Sequence, residues 1–272
     1  MRSTDRAVSE TLSFVFVFAL ITMSIGTVYV VGYGGLQDVR DNERITNAER
    51  AFDVLADNLQ DIYRDGAPGR ATELKLADAN LRFGTETRMN VSVNNLDGTS
   101  SWDSNDISLT PLVYQAGDET ALVYEGGMVL RVDPSRTTVK NRVGMVFTED
   151  ADVRTAVIPL VQTRSSGERT SVSGSTTVLV RSERSITDVM ATRTNPTSET
   201  VIGDSRYAVS FEITTDPARA PAWERYLESQ IPASWDDDGT DDVCVVSDGT
   251  VTCSIAVDQL YVTATRIDMS IE

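Results

Sequence analysis

Cys244 and Cys253 bracket the stretch Cys-Val-Val-Ser-Asp-Gly-Thr-Val-Thr-Cys. Asp248-Gly249 reads as a two-residue hairpin turn. Counting outward from that turn sets Cys244 opposite Cys253 at a non-hydrogen-bonded position, where side chains approach most closely. This spacing predicts a disulfide, and with it an oxidising, extracellular setting. It does not match the CxxC spacing of a redox pair. A second cluster, Asp236-Asp237-Asp238-Gly239-Thr240-Asp241-Asp242, packs five carboxylates into seven residues. Asp236, Asp238 and Asp241 are its candidate oxygen ligands for a hard cation. Ser234 stands where the first Asp of an EF-hand would be, so the run reads first as a solvated acidic loop. No metal and no cofactor is expected. Asn90-Val91-Ser92 is the one N-x-S/T sequon with a permitted middle residue, because Asn195 is followed by Pro196. On an exported chain Asn90 is a candidate glycosylation site.

What is missing narrows the chemistry. Histidine is absent from the 272 residues. That removes Ser-His-Asp and Cys-His catalysis, the HExxH zinc site and an imidazole pH switch. There is no GxxxxGK[ST] phosphate loop and no GxSxG elbow. Paired carboxylates could support glycoside hydrolysis, but nothing singles out a pair among 41 acids. The reading is non-enzymatic.

Asp and Glu number 41 against 24 Lys and Arg, a formal net charge of −17. Only Lys75 and Lys140 are lysines. Such a surplus of acid argues against nucleic acid as a partner, since phosphate binding needs clustered cations. It costs stability by self-repulsion at low salt and preserves solubility in concentrated salt. The composition fits a halophile's protein, and the discriminating observation is whether folding requires molar salt.

One segment sets the location. Between Glu10 and Asp38 the chain carries no charge, from Thr11 to Gln37. Phe14, Val15, Phe16, Val17, Phe18, Leu20, Ile21, Ile25, Val28, Val30 and Val31 make the run longer than the roughly 20 residues that cross a bilayer. Arg2 and Arg6 ahead of it favour a cytoplasmic N-terminus with the remainder outside. The run is longer than the apolar part of an ordinary signal peptide, and no small-x-small cleavage site follows it. Gly32, Gly34 and Gly35 are expected to loosen the helix at its outer end.

The residues just before the run carry a further pattern, Asp5-Arg6-Ala7-Val8-Ser9-Glu10. It resembles the class III signal peptide of archaeal type IV pilins, which a prepilin peptidase cuts ahead of the apolar helix. The pilin pattern Arg-Ala-Val-Ser-Pro is matched through Arg6, Ala7, Val8 and Ser9, with Glu10 in place of Pro. The resemblance implies cleavage between Ala7 and Val8, leaving the helix on the mature chain. Glu10 would then be the third mature residue. In bacterial pilins a Glu at the fifth position pairs with a neighbouring subunit's N-terminus, and the offset weakens that role for Glu10. The stretches Asp5–Glu10, Gly32–Asp38 and Asn47–Asn58, extending to Arg70-Ala71-Thr72-Glu73, are similar to haloarchaeal pilin-like envelope proteins. That similarity covers about the first seventy residues.

The elements that must position these residues follow from periodicity. Ile45, Ala48, Phe52, Leu55, Leu59 and Ile62 recur at alternating spacings of three and four. They predict an amphipathic helix from Asp41 to Asp65, capped by Asp41 or Asn42 and ended at Gly66. Its seam packs either on the chain's own sheet or between subunits. Beyond Pro68, short alternating strands separated by Ser, Thr, Gly, Asn and Asp predict an antiparallel sandwich or rolled sheet. A later helix is expected from Pro217 to Gln230. The predicted organisation is a leader (1–7), an apolar helix (8–37), a stalk helix (38–66) and a β-rich head (67–272). The fold class is α+β, a long N-terminal helix followed by a mainly antiparallel, sandwich-like head. The expected function is a type IV pilin-like subunit, held in the membrane before assembly with its head outside the cell. Its partners would be the membrane, a prepilin peptidase and like or other pilin-like subunits. The alternative is an anchored envelope protein that never polymerises and whose head binds a ligand, glycan or partner.

Overall fold

A computed structural model describes residues 4–95, 101–117, 120–194, 206–236 and 242–272. The chain divides into two compact units, one ending at Thr46 and one running from Asn47 to Glu272. One helix, α1 (Thr4–Tyr63), contributes to both. It continues through Gly32, Gly34 and Gly35, so these glycines do not end it, and Asp41 and Asn42 lie inside it rather than capping a second helix. Its end is local chemistry. Gly66 takes a φ of 77°, which Gly adopts without penalty. The Ala67 N–H then donates to the Asp61 carbonyl at 2.9 Å.

The strands, in chain order, are β1 (Gly69–Lys75), β2 (Ala79–Phe83), β3 (Thr87–Asn95), β4 (Ser101–Asp103), β5 (Ile107–Leu109) and β6 (Leu112–Ala116). There follow β7 (Thr120–Glu125), β8 (Met128–Asp133), β9 (Arg136–Asn141), β10 (Val146–Asp150), β11 (Val153–Ser165) and β12 (Ser171–Gly174). Then come β13 (Thr177–Thr194), β14 (Tyr207–Thr214), the helix α2 (Ala220–Gln230), β15 (Cys244–Ser247), β16 (Thr250–Val257) and β17 (Gln259–Ile271). The fold is α+β with a mainly antiparallel, sandwich-like β domain, as the strand pattern predicts.

Among the described residues the strands form three sheets. They are ordered β1-β13-β17-β11-β10, β12-β2-β6-β7-β8-β9 and β15-β16-β14-β3-β4, with β5 also paired to β3. Among the described residues all ladders are antiparallel except β11 with β17. The alternation from Asp106 to Tyr114 reads as one strand, but it forms two, β5 and β6, broken at Thr110-Pro111. Pro111 has no N–H to place in a ladder, while its carbonyl accepts from the Gly84 N–H at 2.7 Å. The alternation from Ser171 to Ser182 also reads as one strand, but it forms two, β12 and β13, which join different sheets.

From Ala48 onward the helical seam is spent inside the second unit. Phe52, Leu55, Leu59 and Ile62 are all fully buried in one core cluster with the strands. Phe52 meets Tyr114 edge-on, centroids 6.2 Å apart. Arg131 on β8 pairs with Glu49 at 3.0 Å, and Lys140 on β9 pairs with the same carboxylate at 3.0 Å. Ladder registry sets Tyr114, Leu122, Tyr124 and Arg131 on one face of the middle sheet, the face that meets this stretch of α1. Residues of the opposite face include Glu125, which meets β3 and α2.

Burial pushes three phenols up. Tyr63 is raised, Tyr124 is raised well above its ordinary value, and Tyr226 is pushed up to about 12. In each case desolvation is the main cause. The unfolded phenol ionises near pH 10, so the stabilising contribution is complete below that pH. It is lost as pH rises from about 10 towards the folded value, because the unfolded state then releases protons that the folded state keeps. Absorbance titration at 295 nm checks this. These three are expected to ionise only in step with the loss of circular dichroism.

Candidate functional site

The candidate site is the apolar helix itself. From Leu12 to Val31 the twenty residues carry no charge and have the length and composition to cross a membrane. At 1.5 Å per residue they span about 30 Å, the thickness of a hydrocarbon core. Their large apolar side chains are 51–76% exposed, so the chain does not cover them with its own residues. Phe14 and Phe18 stack along one side, centroids 6.3 Å apart. Two hydroxyls within the run, those of Thr22 and Thr27, are handled locally. Thr22 donates to the Phe18 carbonyl and Thr27 to the Met23 carbonyl, both at 2.8 Å. Each hydroxyl is satisfied one turn back, which removes the cost of an unpaired donor in lipid. Arg6, Ala7, Val8 and Glu10 lie in the first turns of the same helix.

The other sequence candidates separate. Cys244 and Cys253 face each other across β15 and β16 and are bonded, S–S 2.09 Å, Cα atoms 4.1 Å apart. Asp248 and Gly249 turn the hairpin with φ of 48° and 83°. Ser254 N–H donates to the Val243 carbonyl at 3.1 Å, which makes the adjacent cysteines a non-hydrogen-bonded pair. Both cysteines are buried. Replacing both by Ser is expected to cost about 2 kcal/mol in urea unfolding, because the loop closed is short. A dithiothreitol-treated native chain should show the same loss.

Asn90 sits in the middle of β3, opposite Glu212 of β14. Its amide is engaged at both ends. Nδ2 donates to Asp103 at 3.4 Å, and its Oδ1 accepts from the Ser104 hydroxyl at 2.8 Å. A glycan on Nδ2 would compete with the first of these bonds. Asp236 forms a bridge with Ile255 at the end of a single 3-10 turn, Ala233–Trp235. Asp238 and Asp241 lie outside the described residues. Among the described residues no group of three or more acids or cysteines is close enough to hold a metal ion.

Sequence reasoning missed the most elaborate polar arrangement. Glu125 is fully buried. Its Oε1 accepts from Thr87 at 3.2 Å, Thr215 at 2.5 Å and the Trp223 indole at 3.3 Å. Its Oε2 faces Nε of Arg219 at 2.5 Å. Gly126 and Gly127 turn β7 into β8 directly beside it, with φ of 57° and 94°. A Cβ on Gly127 would meet Val143 Cγ2 at 2.7 Å, so this turn is packed against protein rather than water. The available signal was a lone acid between the apolar runs Ala121–Tyr124 and Met128–Leu130. With Thr87 and Trp223 also fully buried, the arrangement clamps β3, β7 and α2 together.

A family model described as a family of unknown function (DUF7289) matches residues 6–270, from the first turns of α1 to the end of β17. No curated protein and no solved structure matches the chain.

Proposed function

Since the chain belongs to this family of unknown function over nearly its whole length, we propose a role from its own residues, that of a type IV pilin-like subunit. The observation that carries the reading is the exposure of every large apolar side chain from Leu12 to Val31. About twenty uncovered apolar residues require lipid or other helices around them. In this reading α1 holds the chain in the membrane with Arg2 and Arg6 inside and the β-rich unit outside. A prepilin peptidase cuts between Ala7 and Val8, and the same apolar face later packs against other subunits in a filament. The chain is halophilic and archaeal, which accounts for the net charge of −17 and the near absence of lysine.

One observation favours the second reading, an anchor that never polymerises. The seam from Ala48 to Ile62 is buried within the chain's own second unit and is not free to pack between subunits. Subunit packing would therefore rest on the apolar run.

The test is the N-terminus of the protein recovered from native membranes and from sheared surface material, read by mass spectrometry in high salt. A start at Val8 with the apolar helix retained is expected in both fractions. Replacing Arg6 by Gln and Ala7 by Leu together should leave the uncut chain. Recovery from membranes alone, cut at Val8, would select the anchor. An intact Met1 or Arg2 start, or one beyond Gly35, would overturn the pilin-like reading.

A further inference from the structure

A groove runs between β9 and α2, wholly within the second unit. It comprises two adjoining hollows of about 250 and 220 Å³ that share Arg136, Thr137 and Arg225. Arg142 lines the second hollow. Three arginines thus converge on one groove in a chain whose acids outnumber its bases by 41 to 24. The carboxylate that lines it, Asp133, is already engaged, by Arg131 at 2.9 Å and by the Thr120 hydroxyl at 3.0 Å. Among the described residues neither Arg136 nor Arg142 has a carboxylate partner within ion-pair distance. From α2 the groove is lined by Pro221, Ala222, Arg225, Tyr226 and Ser229, while Glu224 and Glu228 fall outside the lining.

Arg225 is held in place. Its Nη2 donates to the Thr137 carbonyl at 2.8 Å, across the groove floor, leaving its other N–H groups for a ligand. The same strand is tied to the start of α2 by Thr137 Oγ1, which donates to the Ala218 carbonyl at 2.6 Å. A guanidinium presents a planar fork that matches carboxylate and sulfate oxygens two at a time. Holding it in advance lowers the ordering cost of binding. The lining also carries hydroxyls (Ser135 in the first hollow, Thr138 and Ser229 in the second) and, in the first hollow, the apolar rings of Pro134, Pro217 and Pro221.

We propose that the β9–α2 groove binds an acidic saccharide, with the guanidinium groups of Arg136, Arg142 and Arg225 pairing with oxyanion groups carried on successive sugar units. Two joined hollows fit a ligand with repeated anionic groups better than a single ion. Hydroxyls and proline faces suit sugar hydroxyls and ring faces. The proposal stands independently of whether the chain forms filaments.

The test uses the full chain in detergent micelles, at the lowest salt at which circular dichroism shows it folded. Dextran sulfate, neutral dextran and polyphosphate are the probes, read by microscale thermophoresis. Saturable binding of dextran sulfate is expected, with none of neutral dextran and at least tenfold weaker binding of polyphosphate. The double variant Arg136→Gln/Arg142→Gln, which breaks no ion pair among the described residues and should fold, is expected to weaken binding tenfold or more. Arg82→Gln, an exposed arginine on β2, should change it less than twofold. Absence of binding, an unaffected double variant, or equal loss from Arg82→Gln would overturn the site. Equal binding of polyphosphate would overturn the saccharide as its ligand.

Discussion

Glu125→Ala is expected to lower the stability of the β-rich unit by about 3–5 kcal/mol, the range for removing one member of a buried ion pair. The size follows from what is left behind. Arg219, whose side chain is 10% exposed, loses its partner at 2.5 Å. The hydroxyls of Thr87 and Thr215 and the Trp223 indole lose a common acceptor. Each unsatisfied buried donor costs about 1–3 kcal/mol, partly relieved if water enters the vacated space. A domain of this kind has about 5–15 kcal/mol in total, so this one change consumes a large share. Urea unfolding at fixed salt, followed by circular dichroism, measures it. Glu125→Gln keeps an acceptor and should lose less than the Ala variant. A loss below 1 kcal/mol for Glu125→Ala would show that the cluster is not a structural clamp.

The second large effect concerns the apolar run. Phe18→Arg with Ile21→Arg sets two cations near the centre of Leu12–Val31, three residues apart and so on one side of the helix. Each arginine there costs about 2.5–3.5 kcal/mol for insertion, hence about 5–7 kcal/mol for the pair. That is more than a thousandfold in partitioning, and the chain should shift from the membrane pellet to the soluble fraction. Val54→Arg is the control. Val54 lies on the same helix and is exposed, but in the second unit, and its replacement should leave the distribution unchanged. If the double variant stays in the pellet and is not extracted by carbonate, the run is not what retains the chain.

Much of this protein was legible where the determining interactions are local. The run from Thr11 to Gln37 is a matter of composition, and no packing is needed to recognise it. The seam from Ala48 to Ile62 repeats with the helical period, and its burial follows from that period alone. The cysteine hairpin was readable because a two-residue turn at Asp248-Gly249 sets the register of every residue within five positions. Other features required the folded chain. Thr87, Glu125 and Thr215 meet across separations of 38 and 90 residues, which no local pattern encodes. The alternation of β13 was visible as far as Ser182, but its extension to Thr194 depends on β17 lying alongside. Strand pattern predicts alternation and not partners, which is why three sheets and one parallel pair were not foreseen. The β9–α2 groove belongs to the same class, since Arg136, Arg142 and Arg225 are scattered in sequence and are gathered only when α2 packs over β9. Short-range turn and helix geometry is set by neighbouring residues, whereas buried charges and grooves are set by which distant surfaces the core brings together.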